Sequence, residues 1–526
     1  MVAKYKREIL ISILPALIIS VCQVIAYVFT NDGYINLKNP SMYIAIIALT
    51  LVTMILLVAI NRLVVLLDGK IVNDYKFLNV INDRAFGIFL IALLIMWLIA
   101  LLALWPGLCT YDAPKRLEQL FWRKELIAHY PVLHTLLMQG CIELCDALGA
   151  GFEGGILLYS IIQAVIVALC IAYALSYIYK KMNCRWLSLI CLIVIGANPV
   201  IQMLIFTTTY DIIFGGMLLV MTVLLVDSAI YSEEFFRSKL KMVALSLFAF
   251  LMCMFRNQGI YMLVLLLPFA VIAWKRYRLK MALILLIPII ITKVVTGPIY
   301  DAANIAKVNP REALSMPIQQ MAYVATQHPD RIESDEYEVL YRYIPANYIQ
   351  LYNIEIADPV KAGFNPEEFS NNPVDFFKIW GRIGMRNLSS YATAFVALNY
   401  GYYYLLDTAY YETFLLMNDE DNEGMIVLTD SKLPLYEKYL EDVAADGNYK
   451  GIPMVSQALP FILMMIGMYV SLVRRRYKEL VLILLPFGYF GTLLIGPVIG
   501  IRYVFPILIL IPVFLGIILN VKRGEK

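Results

Sequence analysis

Twelve long apolar runs divide this sequence, and the basic residues between them concentrate on alternate connections. A run of about 17 to 25 apolar residues is long enough to cross the hydrocarbon core of a bilayer as a helix. Because Lys and Arg are enriched in connections that remain in the cytoplasm, the alternation also predicts an orientation. The sequence therefore predicts an all-α polytopic membrane protein with about 12 transmembrane helices. The predicted spans are residues 9–29, 43–67, 86–104, 154–177, 186–206, 212–226, 240–254, 259–274, 281–298, 458–473, 480–496 and 498–520.

The spacing of these spans divides the chain into four parts. Residues 1–85 carry two N-terminal spans, and residues 86–298 carry seven more together with a long connection at 105–153. Residues 299–457 are numerous enough for a small domain, which we predict to be mostly helical. Residues 458–526 carry the last three spans.

The charge pattern assigns the two long connections to the outside of the cell membrane. Placing the N-terminus in the cytoplasm collects nearly all basic clusters on one side, so both termini are predicted to be cytoplasmic. The net charge of +3 then averages basic inner connections with an acidic outer region, and nothing indicates a nucleic-acid partner. With 61% hydrophobic and 16% charged residues, the chain is expected to have membrane lipids as its main surroundings.

Asn-Pro pairs predict where helices begin in the outer segment. Asn309, Asn365 and Asn372 each precede a Pro at the first helical position, and an acid follows in the first turn. The helix after Pro373 carries an apolar stripe, which either lies on the membrane or the transmembrane bundle, or faces an ordinary core.

Two further features of the outer side have open interpretations. The acidic run at 419–423 is either a site for a hard cation or a solvated loop tip, and its spacing is not that of a calcium loop. None of the eight cysteines falls in 299–457, which excludes a disulfide-stapled domain there. Cys109 could pair with Cys141 or Cys145, but we expect free thiols.

A group of short motifs begins where the third span leaves the membrane. Trp105-Pro106-Gly107 is followed by Asp112, and His129-Tyr130-Pro131 then opens an amphipathic helix. These motifs resemble the first external loop of GT-C glycosyltransferases, and are most similar to an uncharacterised bacterial multipass branch of that superfamily. The resemblance covers residues 86–520. The motifs that follow in the order of that branch are Asn198-Pro199-Val200, Thr207-Thr208-Thr209-Tyr210-Asp211, Phe255-Arg256-Asn257-Gln258-Gly259, Met316-Pro317-Ile318-Gln319-Gln320 and Gly500-Ile501-Arg502-Tyr503.

The resemblance implies a role for Asp112. In GT-C enzymes, an acid in the first external loop lies beside the acceptor, and the donor is a sugar on a polyprenyl phosphate. Asp112 is the position that matches this acid. Just above the bilayer, a partly desolvated carboxylate has a raised pKa and is a better general base for an acceptor hydroxyl. The alternative is that Asp112 caps the turn before Pro114.

Asp211 is the second candidate, because it lies where the sixth span enters the membrane. An ionised carboxylate costs about 2.5 to 3.5 kcal/mol at the bilayer centre, so such a residue is a functional hypothesis by default. Asp211 could bind a divalent cation together with Asp112, or hold the acceptor by hydrogen bonds. It could also cap the sixth helix, where the helix dipole favours an anion, and these interpretations are compatible.

Arg256 and Arg502 are the candidates for binding the donor phosphate. Both emerge at predicted external helix ends, and a guanidinium binds phosphate oxygens in a bidentate way that Lys cannot. Such cations would stabilise the departing lipid phosphate. The alternative is that both side chains extend to lipid headgroups.

Four more polar residues are assigned to acceptor contact or loop positioning: His129, His134, Gln319 and Gln320. The two histidines are about 140° apart on a helix, so they are not expected to share a metal. No phosphate-cradling glycine loop, Ser-His-Asp order or paired-Cys zinc motif is present. The one cofactor that remains open is a divalent cation at Asp112 and Asp211.

Together, these residues predict a membrane glycosyltransferase that moves a sugar from a polyprenyl-phosphate donor to an acceptor on the external face, with inversion. The acceptor could be an envelope glycan, a lipid or a protein. A transporter or flippase for lipid-linked glycans is the alternative, and it would need charged residues along a path through the membrane. A third alternative is a non-catalytic envelope scaffold.

Overall fold

A computed structural model describes residues 2–67, 76–109, 112–123, 125–406, 430–444 and 456–520. Within these ranges every regular element is a helix, and the extended backbone pairs only at isolated β-bridges. Seven helices are long and apolar enough to cross a membrane, or eight if a bent pair counts as one span. The prediction of an all-α polytopic membrane protein is therefore confirmed, whereas the count of twelve spans stays a prediction.

Up to Val294, the described residues form fourteen α-helices, one π-helical turn, Glu118–Arg123, and one 3-10 helix, Lys275–Tyr277. The helices are α1 (Val2–Asp32), α2 (Pro40–Leu67), α3 (Lys76–Asn82), α4 (Ala85–Ala103), α5 (Ala113–Leu117), α6 (Val132–Ala147), α7 (Gly151–Lys180), α8 (Arg185–Ala197), α9 (Pro199–Ile205), α10 (Tyr210–Ile230), α11 (Ser232–Arg237), α12 (Lys239–Phe255), α13 (Gly259–Ala273) and α14 (Arg278–Val294).

The second half begins with short helices and ends with longer apolar ones. The helices are α15 (Tyr300–Ala302), α16 (Ser315–Gln327), α17 (Ser334–Tyr343), α18 (Ala346–Ile349), α19 (Asp358–Lys361), α20 (Pro366–Asn371), α21 (Pro373–Arg386), α22 (Leu388–Ala397), α23 (Pro434–Ala444), α24 (Leu459–Val473), α25 (Tyr477–Leu493), α26 (Ile501–Leu508) and α27 (Ile511–Leu519).

The predicted span at 186–206 is broken into α8 and α9, whose axes differ by 66°. The break lies at Asn198-Pro199, where the proline has no backbone N–H to continue the helical hydrogen bonds. Asn198 instead caps α9, because its side chain accepts a hydrogen bond of 3.1 Å from Ile201 N. The Asn-Pro pair therefore starts a second helix at a new angle.

Helix α10 lies at the centre of the bundle, and every residue from Asp211 to Ser228 is buried. It packs against α7, α12, α25 and α26. A side chain at Gly215 would come within 3.1 Å of the Pro506 backbone in α26, and one at Gly216 within 3.1 Å of Cys170 Sγ in α7. These glycines let three helices approach closely, as small residues do in membrane bundles.

The segment after α14 has a hydrophobic core of its own. Of the predicted stripe on α21, Phe376 and Ile383 are buried in this core and Trp380 packs against it, as the ordinary core interpretation expects, whereas Phe377 is 45% exposed. Asn365 caps α20 as predicted, and Asn309 caps a 3-10 helix, Pro310–Ala313.

Three other predictions have simple outcomes. Asn372 lies at the N-cap position of α21 but makes no side-chain capping bond, and its amide nitrogen donates to Glu368 Oε1 at 3.1 Å. All eight cysteines are free thiols. The acidic run at 419–423 lies outside the described residues.

The two N-terminal helices are attached to the end of the chain by polar contacts. Glu8 is buried and pairs with Arg62 at 2.5 Å, which joins α1 to α2. Arg474 donates to Asn61 Oδ1 at 3.1 Å, and α1 packs along α24. Helices α1 and α2 are thus part of the bundle.

Candidate functional site

Two loops that are far apart in sequence lie side by side at one end of the bundle. Leu108 N donates to Phe206 O at 2.8 Å, and Thr208 N donates to Leu108 O at 2.9 Å. The Thr208 hydroxyl adds a third bond, to Leu108 O at 3.0 Å. This short parallel pairing fixes the loop that carries Asp112 against the loop that leads into Asp211.

Asp211 and Arg256 form a buried ion pair. Asp211 has no exposed surface and Arg256 is 5% exposed, so the pair is held in a medium of low dielectric. Asp211 lies in the first turn of α10, which begins after Thr209, and its carboxylate makes no capping bond. The capping hydrogen bond is therefore not formed, whereas the position of Asp211 in the first turn, where the helix dipole favours an anion, is as predicted.

Aromatic rings surround the Arg256 guanidinium. Its central carbon lies 5.1 Å from the ring centre of Tyr489, 5.5 Å from Tyr503, 5.7 Å from Phe214 and 5.8 Å from Tyr210. Ring faces attract a cation, and the attraction grows where water is excluded. The rings hold Arg256 in place without adding a second negative charge.

Asp112 and Arg502 form a second pair, at 3.3 Å, which is more open to solvent. The Asp112 side chain is 26% exposed and that of Arg502 is 7% exposed. Arg502 also donates to the Tyr503 hydroxyl at 2.7 Å. Asp112 occupies the N-cap position of α5, but its side chain makes no capping bond, so the capping interpretation is wrong for this residue.

The pKa of Asp112 is shifted in the direction opposite to our prediction. Burial raises the pKa of this carboxyl, but nearby cations, led by Arg502 and Arg116, outweigh burial and hold the pKa below its ordinary value. Sequence reasoning anticipated the desolvation and not the cations. In this state Asp112 is an ionised partner of Arg502 and a weak base.

Arg116 is a site residue that sequence reasoning missed. It is fully buried, and it donates to Thr208 O at 2.5 Å and to Asp112 O at 3.3 Å. Its guanidinium also lies 5.7 Å from the ring centre of Tyr210. The signal was its position four residues after Asp112, which places both at the start of one helix.

His134 belongs to a buried hydrogen-bonded chain that begins at Arg116. His134 Nδ1 is 2.5 Å from Arg116 Nη1, and Nε2 is 2.5 Å from the Tyr159 hydroxyl. Tyr159 donates to Gln163 Oε1 at 2.6 Å, and the Gln163 amide donates to Thr207 O at 2.7 Å. Burial and the neighbouring Arg116 hold the pKa of His134 well below its usual range, so this imidazole is neutral.

The other predicted residues lie at different distances from this cluster. His129 is half-buried beside the cluster, and its charged form would lower the pKa of Asp112. Gln319 and Gln320 instead face the core of the outer segment: Gln319 donates to Asn353 O, and Gln320 donates to Tyr391 O at 3.2 Å. These bonds are compatible with the loop-positioning part of the prediction, and acceptor contact stays a prediction.

Among the residues that the structure describes, the charges in the cluster do not balance. Three guanidinium groups, Arg116, Arg256 and Arg502, face two carboxylates, Asp112 and Asp211. In the part of the chain that the structure describes, no group of three or more His, Cys, Asp or Glu side chains could hold a metal ion. The proposed cation site at Asp112 and Asp211 has no such donor set, because each carboxylate pairs with an Arg. The arrangement is suited to binding an anion.

A comparison with known proteins identifies a family for this chain, but the function of that family is unknown. No curated protein matches the chain. No solved structure matches it either. A family model described as "Family of unknown function (DUF6020)" matches residues 123–525, which include Asp211, Arg256 and Arg502 but not Asp112 or Arg116. Because the match covers more than half of the sequence, the chain belongs to the DUF6020 family.

Proposed function

We propose that this protein is a GT-C type membrane glycosyltransferase that moves a sugar from a polyprenyl-phosphate donor to a cell-envelope acceptor, with inversion. The observation that carries the proposal is the excess of buried cations over carboxylates in a cluster that also holds Asp112, the acid of the resemblance. Burial of an unbalanced charge is unfavourable unless an anion compensates it. The phosphate of a lipid-linked sugar would supply that anion.

Arg502 is the residue best placed to receive the phosphate. Its pairing distance to Asp112 is 3.3 Å, which is long for a charge-assisted hydrogen bond, and the pair is reachable because Asp112 is partly exposed. Arg256 is held more deeply by Asp211 and the aromatic rings. We assign phosphate binding mainly to Arg502, with Arg256 stabilising the charge from beneath.

Phosphate binding would turn Asp112 into a base. An anion on Arg502 weakens the pairing that lowers the pKa of Asp112, so that burial, the largest influence on this carboxyl, then raises the pKa. The acceptor hydroxyl oxygen attacks the anomeric carbon while its proton passes to Asp112. The bond between that carbon and the phosphate oxygen breaks, and the electron pair remains on the phosphate, next to Arg502 and Arg256. A single displacement of this kind inverts the anomeric centre.

Asp211 has a positioning role in this proposal. It has no exposed surface and lies against Arg256, so an acceptor cannot reach it without separating the pair. Its negative charge fixes the orientation of Arg256 at the end of α12. This assignment revises the prediction that Asp211 acts directly on the acceptor.

We infer twelve membrane crossings with the cluster on the external side. Seven of these crossings are the long apolar helices α1, α2, α4, α7, α10 and α14 and the stretch formed by α26 and α27, and the bent pair α8 and α9 is the eighth. The other four are α12, α13, α24 and α25, which have 15 to 17 residues each. At 1.5 Å per residue, helices of about 17 residues approach the roughly 30 Å hydrocarbon core. Twelve crossings place both termini in the cytoplasm, together with most basic clusters.

This topology can be tested with two exposed acids, Asp335 in the outer segment and Glu233 in α11. In intact cells, a membrane-impermeant maleimide should label Asp335→Cys at once, but Glu233→Cys only after permeabilisation. The parent chain, with its native cysteines, gives the background. Equal labelling of both variants in intact cells would contradict the proposed topology.

The transfer reaction is tested with radiolabelled polyprenyl-phosphate hexoses and envelope fractions as acceptors. Membranes with the wild-type chain should transfer label, and Asp112→Asn should lose transfer by about 10²- to 10⁴-fold, the usual contribution of a general base. Asp146→Asn is the matched control, because Asp146 is an exposed acid of the same connection, at the end of α6. Transfer that survives in Asp112→Asn would overturn the mechanism. Movement of intact lipid-linked sugar across vesicles without transfer would favour the transporter alternative.

A further inference from the structure

A second feature of the bundle is an apolar cavity on the opposite side of α25 from the arginine cluster. Its volume is about 660 Å³, which lies within the range of roughly 300–1,000 Å³ usual for ligand pockets. Helices α1, α22, α24 and α25 form most of its wall. Three of these, α1, α24 and α25, are among the membrane crossings inferred above, and α22 belongs to the outer segment, so the cavity lies where the inferred crossings meet that segment.

The wall of the cavity is nearly free of available polar groups. Gln320 lies in the wall, but its amide donates to Tyr391 O and its carbonyl accepts from Trp380 Nε1 at 2.9 Å. The Tyr391 hydroxyl, also in the wall, donates to Trp380 O at 2.7 Å. A buried water needs about two to four polar partners, and these groups are already engaged. The remaining wall, which includes Phe395 and Phe461, is suited to hydrocarbon.

The positions on α25 separate this cavity from the arginine cluster. Phe487, Phe490, Gly491 and Leu494 line the cavity, whereas Tyr489 contacts Arg256. At 3.6 residues per turn, Tyr489 is about 150° around the helix from the centre of the cavity-lining group. A polyprenyl chain whose phosphate lies at Arg502 would have to pass around α25 to enter the cavity. An acyl chain of a membrane phospholipid is not tied to Arg502 and does not need this path.

We propose that this cavity binds one acyl chain of a membrane phospholipid, which fills the space between α1, α22 and α25. The bound chain would join the N-terminal helix to the outer segment and to the last spans. The inference does not depend on the proposed transfer reaction, because no residue of the arginine cluster lines the cavity.

Gly491 provides a precise way to fill the cavity. A Cβ atom added there meets no atom within 4 Å, and Gly491 lines the cavity, so we expect the side chain of Gly491→Leu to occupy part of this space without displacing backbone. Gly87→Leu is the matched control, because Gly87 in α4 also has open space around it and does not line the cavity. The full-length protein is purified in mild detergent, and its phospholipid is quantified by mass spectrometry. We expect a several-fold loss of tightly bound phospholipid in Gly491→Leu and none in Gly87→Leu. Equal phospholipid in both variants would overturn the proposal.

A measurement on the wild-type chain tests the same inference without a variant. Membranes are loaded with phosphatidylethanolamine that carries a diazirine in its acyl chain, or with a diazirine-labelled polyprenyl phosphate. After illumination, the phosphatidylethanolamine label should map to α22 and α25 at 388–396 and 487–494. Labelling of these segments by the polyprenyl probe alone, or phospholipid labelling spread evenly over lipid-facing helices such as α2, would contradict the proposal.

Discussion

Each end of α10 carries a buried aspartate, and the two aspartates have different charged partners. At the first end, Asp211 pairs with Arg256 in a cluster whose cations outnumber its carboxylates. At the other end, Asp227 accepts from Tyr177 at 3.1 Å and from Lys241 at 2.8 Å, and Lys241 also binds Glu234 at 2.8 Å. One cation there is shared by two acids. Burial does not distinguish these aspartates, because Asp211 is 0% and Asp227 is 4% exposed, whereas their charged partners do.

This difference indicates which buried charge serves the fold and which serves a ligand. The Asp227 end is satisfied by its own partners, and Lys241 is 28% exposed, so solvent screens what remains. The Asp211 end holds its cations with ring faces and carbonyl oxygens, which leaves a net positive charge. An unbalanced cluster gains most from an external anion.

The largest effect is expected when Asp211 is removed. Asp211→Ala leaves Arg256 buried without a counter-charge, which should lower the free energy of unfolding by about 3–5 kcal/mol. The double variant Asp211→Ala with Arg256→Met should recover part of this loss, because the unpaired charge is removed as well. Thermal unfolding in detergent measures both. A loss in Asp211→Ala no greater than in Asp227→Asn would contradict the comparison.

A smaller effect is expected at the other end of the helix. Asp227→Asn keeps a polar partner for Tyr177, and Lys241 retains Glu234. The loss of charge-assisted hydrogen bonds should cost about 1–3 kcal/mol in the free energy of unfolding. Transfer of sugar per folded molecule should not change. A selective loss of transfer in this variant would mean that the Asp227 end also takes part in function.

The pH dependence of stability should distinguish the Asp112 pair. Because the pKa of Asp112 is lowered in the folded chain, the pair stabilises the protein above the unfolded pKa of about 3.9. This contribution is lost as the pH falls through the lower folded value. In Arg502→Gln, burial acts on Asp112 with less opposition, so its pKa should rise.

The corresponding measurement is the unfolding temperature between pH 3 and 7 for the wild type and Arg502→Gln. The loss of stability as the pH falls below about 4 should be smaller in the variant, because the folded pKa of Asp112 then lies closer to the unfolded value. Arg331→Gln is the control, since Arg331 is an exposed cation of the outer segment, far in sequence from the cluster. Parallel curves for the wild type and Arg502→Gln would show that Arg502 does not control Asp112.

The smallest expected effect concerns Cys109, which follows Leu108 in the loop that pairs with the loop before Asp211. Burial raises the pKa of this thiol to about 11, and Arg116 and Thr208 oppose that rise only in part. Little thiolate is therefore present at pH 7, and maleimide should label Cys109 slowly until the chain unfolds. Peptide mapping by mass spectrometry separates it from the other cysteines. Labelling as fast as that of a free thiol would show that the loop is open.

Much of the fold follows from local sequence. Apolar runs predict helices at the right places, and Asn365-Pro366 starts α20 where the capping signal lies. The bend at Asn198-Pro199 was missed, although the same signal was present, because hydrophobicity continues through it. A pattern of apolar residues gives no information about a change of helix direction within a span.

The candidate site was predictable in part. Asp112, Asp211, Arg256 and Arg502 were selected by residue type and position, and the structure brings all four together. Arg116 was missed, because a basic residue in a long connection usually faces solvent. The hydrogen bonds of Gln319 and Gln320 to the backbone of the outer segment were not predictable, because a sequence does not show which face of α16 is buried.

The sequence by itself determined that this chain crosses a membrane many times, because the burial of apolar runs in lipid depends on local composition. It also placed charged residues at the ends of helices. Tertiary structure decided which charges meet, and therefore that Asp112 pairs with Arg502 and Asp211 with Arg256. Pairing partners separated by 390 residues depend on how helices pack, and a pKa depends on those partners more than on the residue itself.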